Sequence, residues 1–168
     1  MAYNYNSNNF NRPGQGYGGS GQNRSGGYGS NAGPRAASSI STAPKVLPAD
    51  YVDQAQKLME RLSQSGSRLT TSKLRSILSL ISDIYNREMP NHASAMSPDD
   101  CSRLQMAKVR IAYEAGRDGT NGPVYAFIKD ADLLSYIAGV GSSRAKFMDF
   151  ARYMEALVAY HRFYGGKD

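Results

Sequence analysis

The composition of the chain changes abruptly at Pro44, and this break limits what each side can fold into. Residues 1–44 hold nine of the 17 glycines, seven asparagines, three arginines and no acidic residue. Such a segment cannot bury enough apolar surface to offset about 1–2 kcal/mol of backbone entropy per ordered residue. We therefore predict a disordered tail over 1–44. Its spaced tyrosines and arginines fit either weak RNA binding or self-association, and a flexible leader without a specific role is the alternative.

Residues 45–168 show helical periodicity throughout, with apolar residues at every third or fourth position and no alternating strand pattern. N-cap hydroxyls and terminating glycines or prolines set the boundaries. The pattern predicts helices over 49–63, 71–89, 97–116, 124–138 with a kink near Asp130, and 143–164. These 124 residues are thus predicted to form a compact all-α bundle of about five helices behind the tail.

The sequence offers little material for catalysis or for a metal site. Cys101 is the only cysteine, which excludes a disulfide framework and a cysteine-based metal cage. His161 falls on an apolar helix face, which favours a packed core histidine over a ligand or base, and His92 has no acidic or cysteine neighbour in sequence. No apolar run approaches the roughly 18 residues of a membrane helix. We expect a soluble, cytoplasmic protein that is not an enzyme and uses no cofactor.

One short motif lies between the last two predicted helices. The run Gly139-Val140-Gly141, with Ala145 four residues on, resembles a helix-hairpin-helix motif, in which hairpin amides hold a backbone phosphate. That pattern predicts a stand-alone DNA-binding module. The alternative is a tight interhelical turn that uses glycine torsions.

Basic residues follow helical spacing in the predicted third helix. Arg103, Arg110 and Arg117 are seven positions apart, so they line one stripe about 21 Å long, and Lys108 lies to one side. The full RNA-binding set predicted from the cations is Lys73, Arg75, Arg103, Lys108, Arg110, Arg117, Arg144, Lys146 and Arg152. Such a track suits a nucleic-acid backbone contacted without base readout. The alternative is a solvated face with intrahelical ion pairs, for which Glu114 is placed to join Arg110 or Arg117.

Three tyrosines share one flank of the last predicted helix. Tyr153, Tyr160 and Tyr164 lie beside the apolar stripe and away from its centre. Exposed aromatic side chains at this spacing favour a subunit contact. A wide core face is the alternative.

Four segments carry a resemblance to a known family. They are LTTSKLRSILS at 69–79, SDIYN at 82–86, KVRIAYEAGR at 108–117 and RYMEALVAYHRFYGGKD at 152–168. Together they resemble the small subunit of type III-A CRISPR effector complexes, the Csm family, over roughly residues 51–168.

The resemblance implies a non-catalytic, all-helical subunit that stacks with other copies of itself. It would lie beside the backbone subunits that hold the guide RNA and would line the channel where target RNA pairs. Cleavage of the target would belong to the backbone subunit, and DNA cleavage and cyclic-oligoadenylate synthesis to the large palm-domain subunit. The family pattern matches here at Lys73, Arg75, Lys108, Arg110 and Arg117.

Overall fold

The computed structural model describes residues 39–167, and the regular elements of this part of the chain are six α-helices. They are α1 (Tyr51–Gln64), α2 (Thr71–Glu88), α3 (Pro98–Asp118), α4 (Pro123–Asp130), α5 (Leu133–Val140) and α6 (Arg144–Phe163). The predicted all-α bundle is confirmed. The disordered tail predicted over 1–44 lies, up to residue 38, outside the described residues.

Side-chain hydroxyls begin three of the helices, as their sequences predict. Thr70 caps α2, Ser97 caps α3 and Ser143 caps α6, each accepting a hydrogen bond from the backbone amide three residues later, at 3.0–3.4 Å. Each bond satisfies one of the four amides that a helix N-terminus leaves unpaired.

The prediction of a single kinked helix over 124–138 is wrong in one respect, because this segment forms two helices, α4 and α5. The backbone breaks between α4 and α5 at Asp132, a non-glycine residue with a φ of 50°. Lys45 Nζ lies 2.8 Å from the carboxylate of Asp132 and so holds this break in place. At the end of α3, the helix runs two residues beyond the predicted stop at Gly116, and Gly119 ends it with a φ of 78°.

The core is built around α6, which packs against α1, α2 and α5, while α3 packs against α2, α4 and α5. Phe147, Phe150 and Leu157 of α6 are fully buried. Val52 has the spacing of the apolar residues of α1 but is 43% exposed. The buried stripe of this helix consists of Ala55, Leu58, Met59 and Leu62.

A short extended segment before α1 crosses α5 and is fixed to it by hydrogen bonds. The amide of Lys45 donates to the carbonyl of Ser135 at 3.0 Å, and the Ser135 hydroxyl donates to the carbonyl of Ser41 at 3.0 Å. Ile40 and Leu47 pack partly against the core. Residues 39–44, assigned to the tail by composition, therefore lie against the folded domain.

Candidate nucleic-acid interface

A groove between α2 and α3 collects four of the predicted cations. One recess is lined by Lys73 of α2 and by Arg110 and Arg117 of α3. A second recess is lined by Arg103 and Arg110. Arg110 and Leu80 line both recesses, which therefore adjoin, and we call them together the α2–α3 groove; Asp83 and Glu114 are its acidic lining residues.

The wall that α3 contributes alternates cations with apolar side chains. Arg103, Met106, Arg110, Tyr113 and Arg117 follow steps of three and four residues, so they share one face of the helix. Met106 is 56% exposed and Tyr113 is 64% exposed. Only the three arginines of this face were predicted from the sequence, although Met106 and Tyr113 have the same spacing.

Acidic side chains balance part of the groove's charge. The pairs are Lys73 with Asp118 at 3.2 Å, Arg117 with Glu114 at 2.6 Å, and Arg103 with Asp99 at 2.9 Å. The pair between Arg117 and Glu114 is one of the two that the sequence predicts. Arg110 has no side-chain hydrogen bond or ion pair within residues 39–167. Solvent-exposed ion pairs contribute only about 0–1 kcal/mol each, so a phosphate can compete for these cations.

Asp118 also stabilises the start of α4. One of its carboxylate oxygens accepts the amides of Val124 at 2.7 Å and Tyr125 at 3.4 Å. Burial alone would raise the pKa of Asp118, but the hydrogen bonds from Val124 and Lys73 outweigh it and hold that pKa below its ordinary value. The carboxylate therefore stays charged at neutral pH and keeps Lys73 at the mouth of the groove.

Four other predicted cations lie outside the groove. Arg75 and Lys108 each stand two residues from a groove cation, about 200° around their helices, and line neither recess. Lys146 lines a separate recess beside α5. Arg152 pairs with Asp149 of its own helix at 3.2 Å. The structure therefore does not bring the nine predicted residues together as one track.

Arg144 is engaged inside the fold, which disagrees with its predicted place among the RNA contacts. Its guanidinium donates to the carbonyl of Glu88 at 2.9 and 3.1 Å and lies 3.7 Å from the buried Glu88 carboxylate. The side chain of Arg144 is 22% exposed. It joins the start of α6 to the end of α2, and we leave it out of the interface.

Tyr153 is a core residue, so the prediction that it projects towards a partner is wrong. It is 4% exposed, and its ring packs edge-on against Tyr51 and Tyr136 at centroid distances of 6.4 and 5.7 Å. Its hydroxyl donates to the carbonyl of Ala131 at 3.3 Å. Burial raises the pKa of Tyr153.

The other two tyrosines belong to an aromatic patch at the end of α6. Tyr160 stacks on Tyr164 with ring centroids 6.5 Å apart, and Phe163 meets Tyr164 edge-on at 5.1 Å. Both tyrosines are half-buried, whereas Phe163 is 77% exposed. Gln56 of α1 donates to the Tyr164 hydroxyl at 3.1 Å, which fixes the patch against α1. We call Tyr160, Phe163 and Tyr164 the aromatic patch.

Two amides of the glycine-rich turn before α6 are hydrogen-bonded within the fold. The amide of Ser143 donates to the carbonyl of Val140 at 3.1 Å, and the amide of Arg144 donates to the carbonyl of Ser94 at 3.1 Å. Gly139 lies against the backbone of Lys45 rather than facing solvent. The turn therefore packs as an interhelical connection, in which the amides of Ser143 and Arg144 are already engaged within the fold.

The remaining chemical candidates are structural. His161 lies in the core, with Nε2 3.0 Å from the carbonyl of Leu69 and Nδ1 3.4 Å from the hydroxyl of Thr71, as the apolar face predicts. Within residues 39–167 no three metal-ligating side chains cluster. None of the helices in that range is long and apolar enough to cross a membrane.

The fold and the groove define the class of protein: a small all-helical domain with an exposed basic groove. A family model described as Csm2 Type III-A matches residues 47–167. The chain belongs to this family, the small subunits of the type III-A CRISPR Csm system, and the resemblance seen in the sequence is confirmed. Membership implies a place in a multi-subunit Csm complex.

Three relatives described as "CRISPR system Cms protein Csm2" give the same result. The protein from Mycobacterium tuberculosis (strain CDC 1551 / Oshkosh) is 33% identical over 124 residues, which are 73% of this chain and 98% of the relative. The protein from Streptococcus thermophilus is 36% identical over 122 residues, 71% of this chain and 94% of the relative. The protein from Enterococcus italicus is 38% identical over 98 residues, 57% of this chain and 68% of the relative.

Proposed function

We propose that this chain is the non-catalytic small subunit of a cytoplasmic type III-A CRISPR ribonucleoprotein and acts in antiviral defence. Its α2–α3 groove contacts the backbone of guide or target RNA without reading sequence. The observation that supports this is the convergence of Lys73, Arg103, Arg110 and Arg117 on one groove of the domain. Its partners are the guide and target RNA, the backbone subunit, the large palm-domain subunit and other copies of itself.

The groove suits phosphate contacts in both length and chemistry. From Arg103 to Arg117 the helix rises about 21 Å, which spans several nucleotides of a strand. Arginine guanidinium groups bind phosphate oxygens bidentately, and Arg110 is free to do so within the described residues. Sequence specificity then comes from pairing between guide and target, in analogy with other RNA-guided systems.

The aromatic patch is the proposed contact with a neighbouring subunit. Phe163 is mostly exposed to solvent. Its ring meets Tyr164 edge-on, and Tyr164 in turn stacks on Tyr160. Exposed aromatic residues of this kind are enriched at protein interfaces and supply much of the binding energy there.

The groove is tested by the triple variant Lys73→Ala, Arg110→Ala and Arg117→Ala in the assembled complex. Target RNA should bind more weakly with the same sequence preference, because phosphate contacts position a strand but do not specify it. The slope of log K against log salt should fall by about 0.7 for each phosphate of a single strand that no longer meets a cation. Filter binding or anisotropy across a salt series measures both.

A matched control removes three cations from another face of the domain. Lys57→Ala, Arg61→Ala and Arg68→Ala change the net charge equally, and none of these residues lines the α2–α3 groove. The control should keep affinity and salt slope close to wild type. Equal losses of affinity in the two triple variants, or unchanged affinity in the groove variant, would show that the groove does not bind the RNA.

A further inference from the structure

The exposed ring of Tyr113 is the feature of the groove that phosphate contacts leave unexplained. It is 64% exposed and lines the same recess as Lys73, Arg110 and Arg117. Among residues 39–167 it makes no ring–ring contact and no side-chain hydrogen bond. An exposed apolar side chain beside cations is suited to a ligand that carries both apolar and anionic groups.

The spacing along α3 fits such a ligand. Tyr113 lies about 4.5 Å along the helix axis from Arg110 and about 6 Å from Arg117. Cations thus flank the ring on both sides. Met106 repeats the arrangement between Arg103 and Arg110 and is 56% exposed.

Single-stranded RNA presents alternating phosphates and unpaired bases, and this order matches the alternation of cations and apolar side chains. Aromatic side chains stack on any unpaired base, because every base has a π-face. In a duplex the bases are stacked on one another and are not available to a protein ring. An acidic protein partner would contact the same residue types, so it is an outcome of the test below.

We propose that Tyr113 stacks on an unpaired RNA base while Arg110 and Arg117 hold the adjacent phosphates. The groove therefore prefers a single strand to a duplex. This inference rests on the proposed function, since it adds a base contact to the same groove. One guanidinium nitrogen of Arg117 donates to Glu114 at 2.6 Å, so a phosphate bound at Arg117 either shares the guanidinium with this carboxylate or displaces it.

The test compares two labelled strands of equal length and equal phosphate number, oligoadenylate and a fully abasic RNA. Binding to the full-length chain is measured at low ionic strength, where phosphate contacts are strongest. Wild type should prefer oligoadenylate, and Tyr113→Leu should reduce its affinity for that strand about 5- to 150-fold, the range that loss of one stacked base implies. Tyr113→Phe keeps the ring and should bind as wild type does. All variants should bind the abasic strand equally.

The outcomes distinguish failure of the stacking inference from failure of RNA binding by the α2–α3 groove. If wild type binds the two strands equally, or if Tyr113→Leu binds oligoadenylate as wild type does, stacking is wrong even where the groove triple variant binds neither strand. If wild type binds neither strand, stacking is wrong and the groove is judged in the assembled complex alone. If Tyr113→Leu keeps its RNA affinity but fails to enter the complex, the ring contacts a protein.

Discussion

Gly139 shows how a single residue can fix the path of the chain. It lies in α5 where the backbone of Lys45 crosses the helix, and a Cβ at this position would overlap the Lys45 carbonyl. Gly116, within α3, has open space where its Cβ would be. The fold therefore excludes a side chain at Gly139 and has room for one at Gly116, although both glycines lie in helices.

We predict opposite effects of alanine at these two glycines. Gly139→Ala should lower the free energy of unfolding by about 1–3 kcal/mol, because the crossing segment has to move to relieve the overlap. Gly116→Ala should raise it by about 0.5–1 kcal/mol, because alanine is the better helix former and nothing obstructs it. Urea unfolding followed by circular dichroism measures both. A neutral Gly139→Ala would contradict the close crossing described for α5, and a destabilised Gly116→Ala would contradict the open space described beside α3.

A helix residue outside the apolar stripe can still be buried by another element of the fold. The spacing within one helix does not show which element packs there. Spacing placed Tyr153 on the flank of α6, but Tyr51 and Tyr136 approach from other helices and bury it. Arg144 has the sequence position of a cation at a helix start, yet the buried Glu88 lies 56 positions away in sequence and engages it. Tyr113 and Met106 could have been found, because they share the arginine spacing.

At the scale of elements, local chemistry set most helix starts correctly. The hydroxyl caps at Thr70, Ser97 and Ser143 act within three residues of themselves, so the sequence alone reveals them. The sequence predicts a kink near Asp130 but not the complete division of the fourth helix into α4 and α5. This division depends on Asp132 holding a left-handed conformation, which Lys45 supports from far along the chain.

A polar network joins the end of α2 to the start of α3. Arg87 Nε donates to Asp100 at 2.6 Å, and the hydroxyl of Ser97 donates to the other oxygen of Asp100 at 2.8 Å. Burial alone would raise the pKa of Asp100, but these hydrogen bonds from Arg87 and Ser97 outweigh it and hold that pKa below its ordinary value. The side chain of Asp100 is 5% exposed, whereas that of Asp99 is 58% exposed.

This network predicts an acid-sensitive junction between α2 and α3. Because the pKa of Asp100 is lowered by folding, its stabilisation is present above the unfolded pKa of about 3.9 and is lost as pH falls through the folded pKa. Asp100→Asn should cost about 1.5–3 kcal/mol at pH 7, the scale of a hydrogen bond to a charged group, and the cost should shrink towards pH 3. Thermal melts at several pH values measure this.

The matched control for the junction is Asp99→Asn, the neighbouring carboxylate that also pairs with Arg87, at 2.6 Å. Because the side chain of Asp99 is mostly exposed, its substitution should cost less than about 1 kcal/mol. A cost for Asp100→Asn that is independent of pH would mean that the shape of the Asp100 side chain, and not its charge, stabilises the junction.

At the scale of the whole molecule, the two proposed surfaces use different helices. The α2–α3 groove takes its side chains from α2 and α3, whereas the aromatic patch lies at the end of α6 and is fixed to α1. The two surfaces share no side chain, although the segment after α6 meets the start of α2, where the amide of Thr71 donates to the carbonyl of Lys167 at 2.8 Å. Because no residue belongs to both surfaces, substitutions should affect the two activities separately.

The double variant Phe163→Ala and Tyr160→Ala tests this separation. Losing the exposed rings should weaken incorporation into the complex about tenfold, because a truncated interface aromatic costs about 1–2 kcal/mol or more. The isolated chain should still melt cooperatively, since Phe163 is exposed and Tyr160 is only partly buried against the core, and should bind RNA as wild type does. Val52→Ala, which trims an exposed apolar side chain of α1, serves as the control. Co-purification with the other subunits measures incorporation, and normal assembly of the double variant would remove the aromatic patch from the subunit interface.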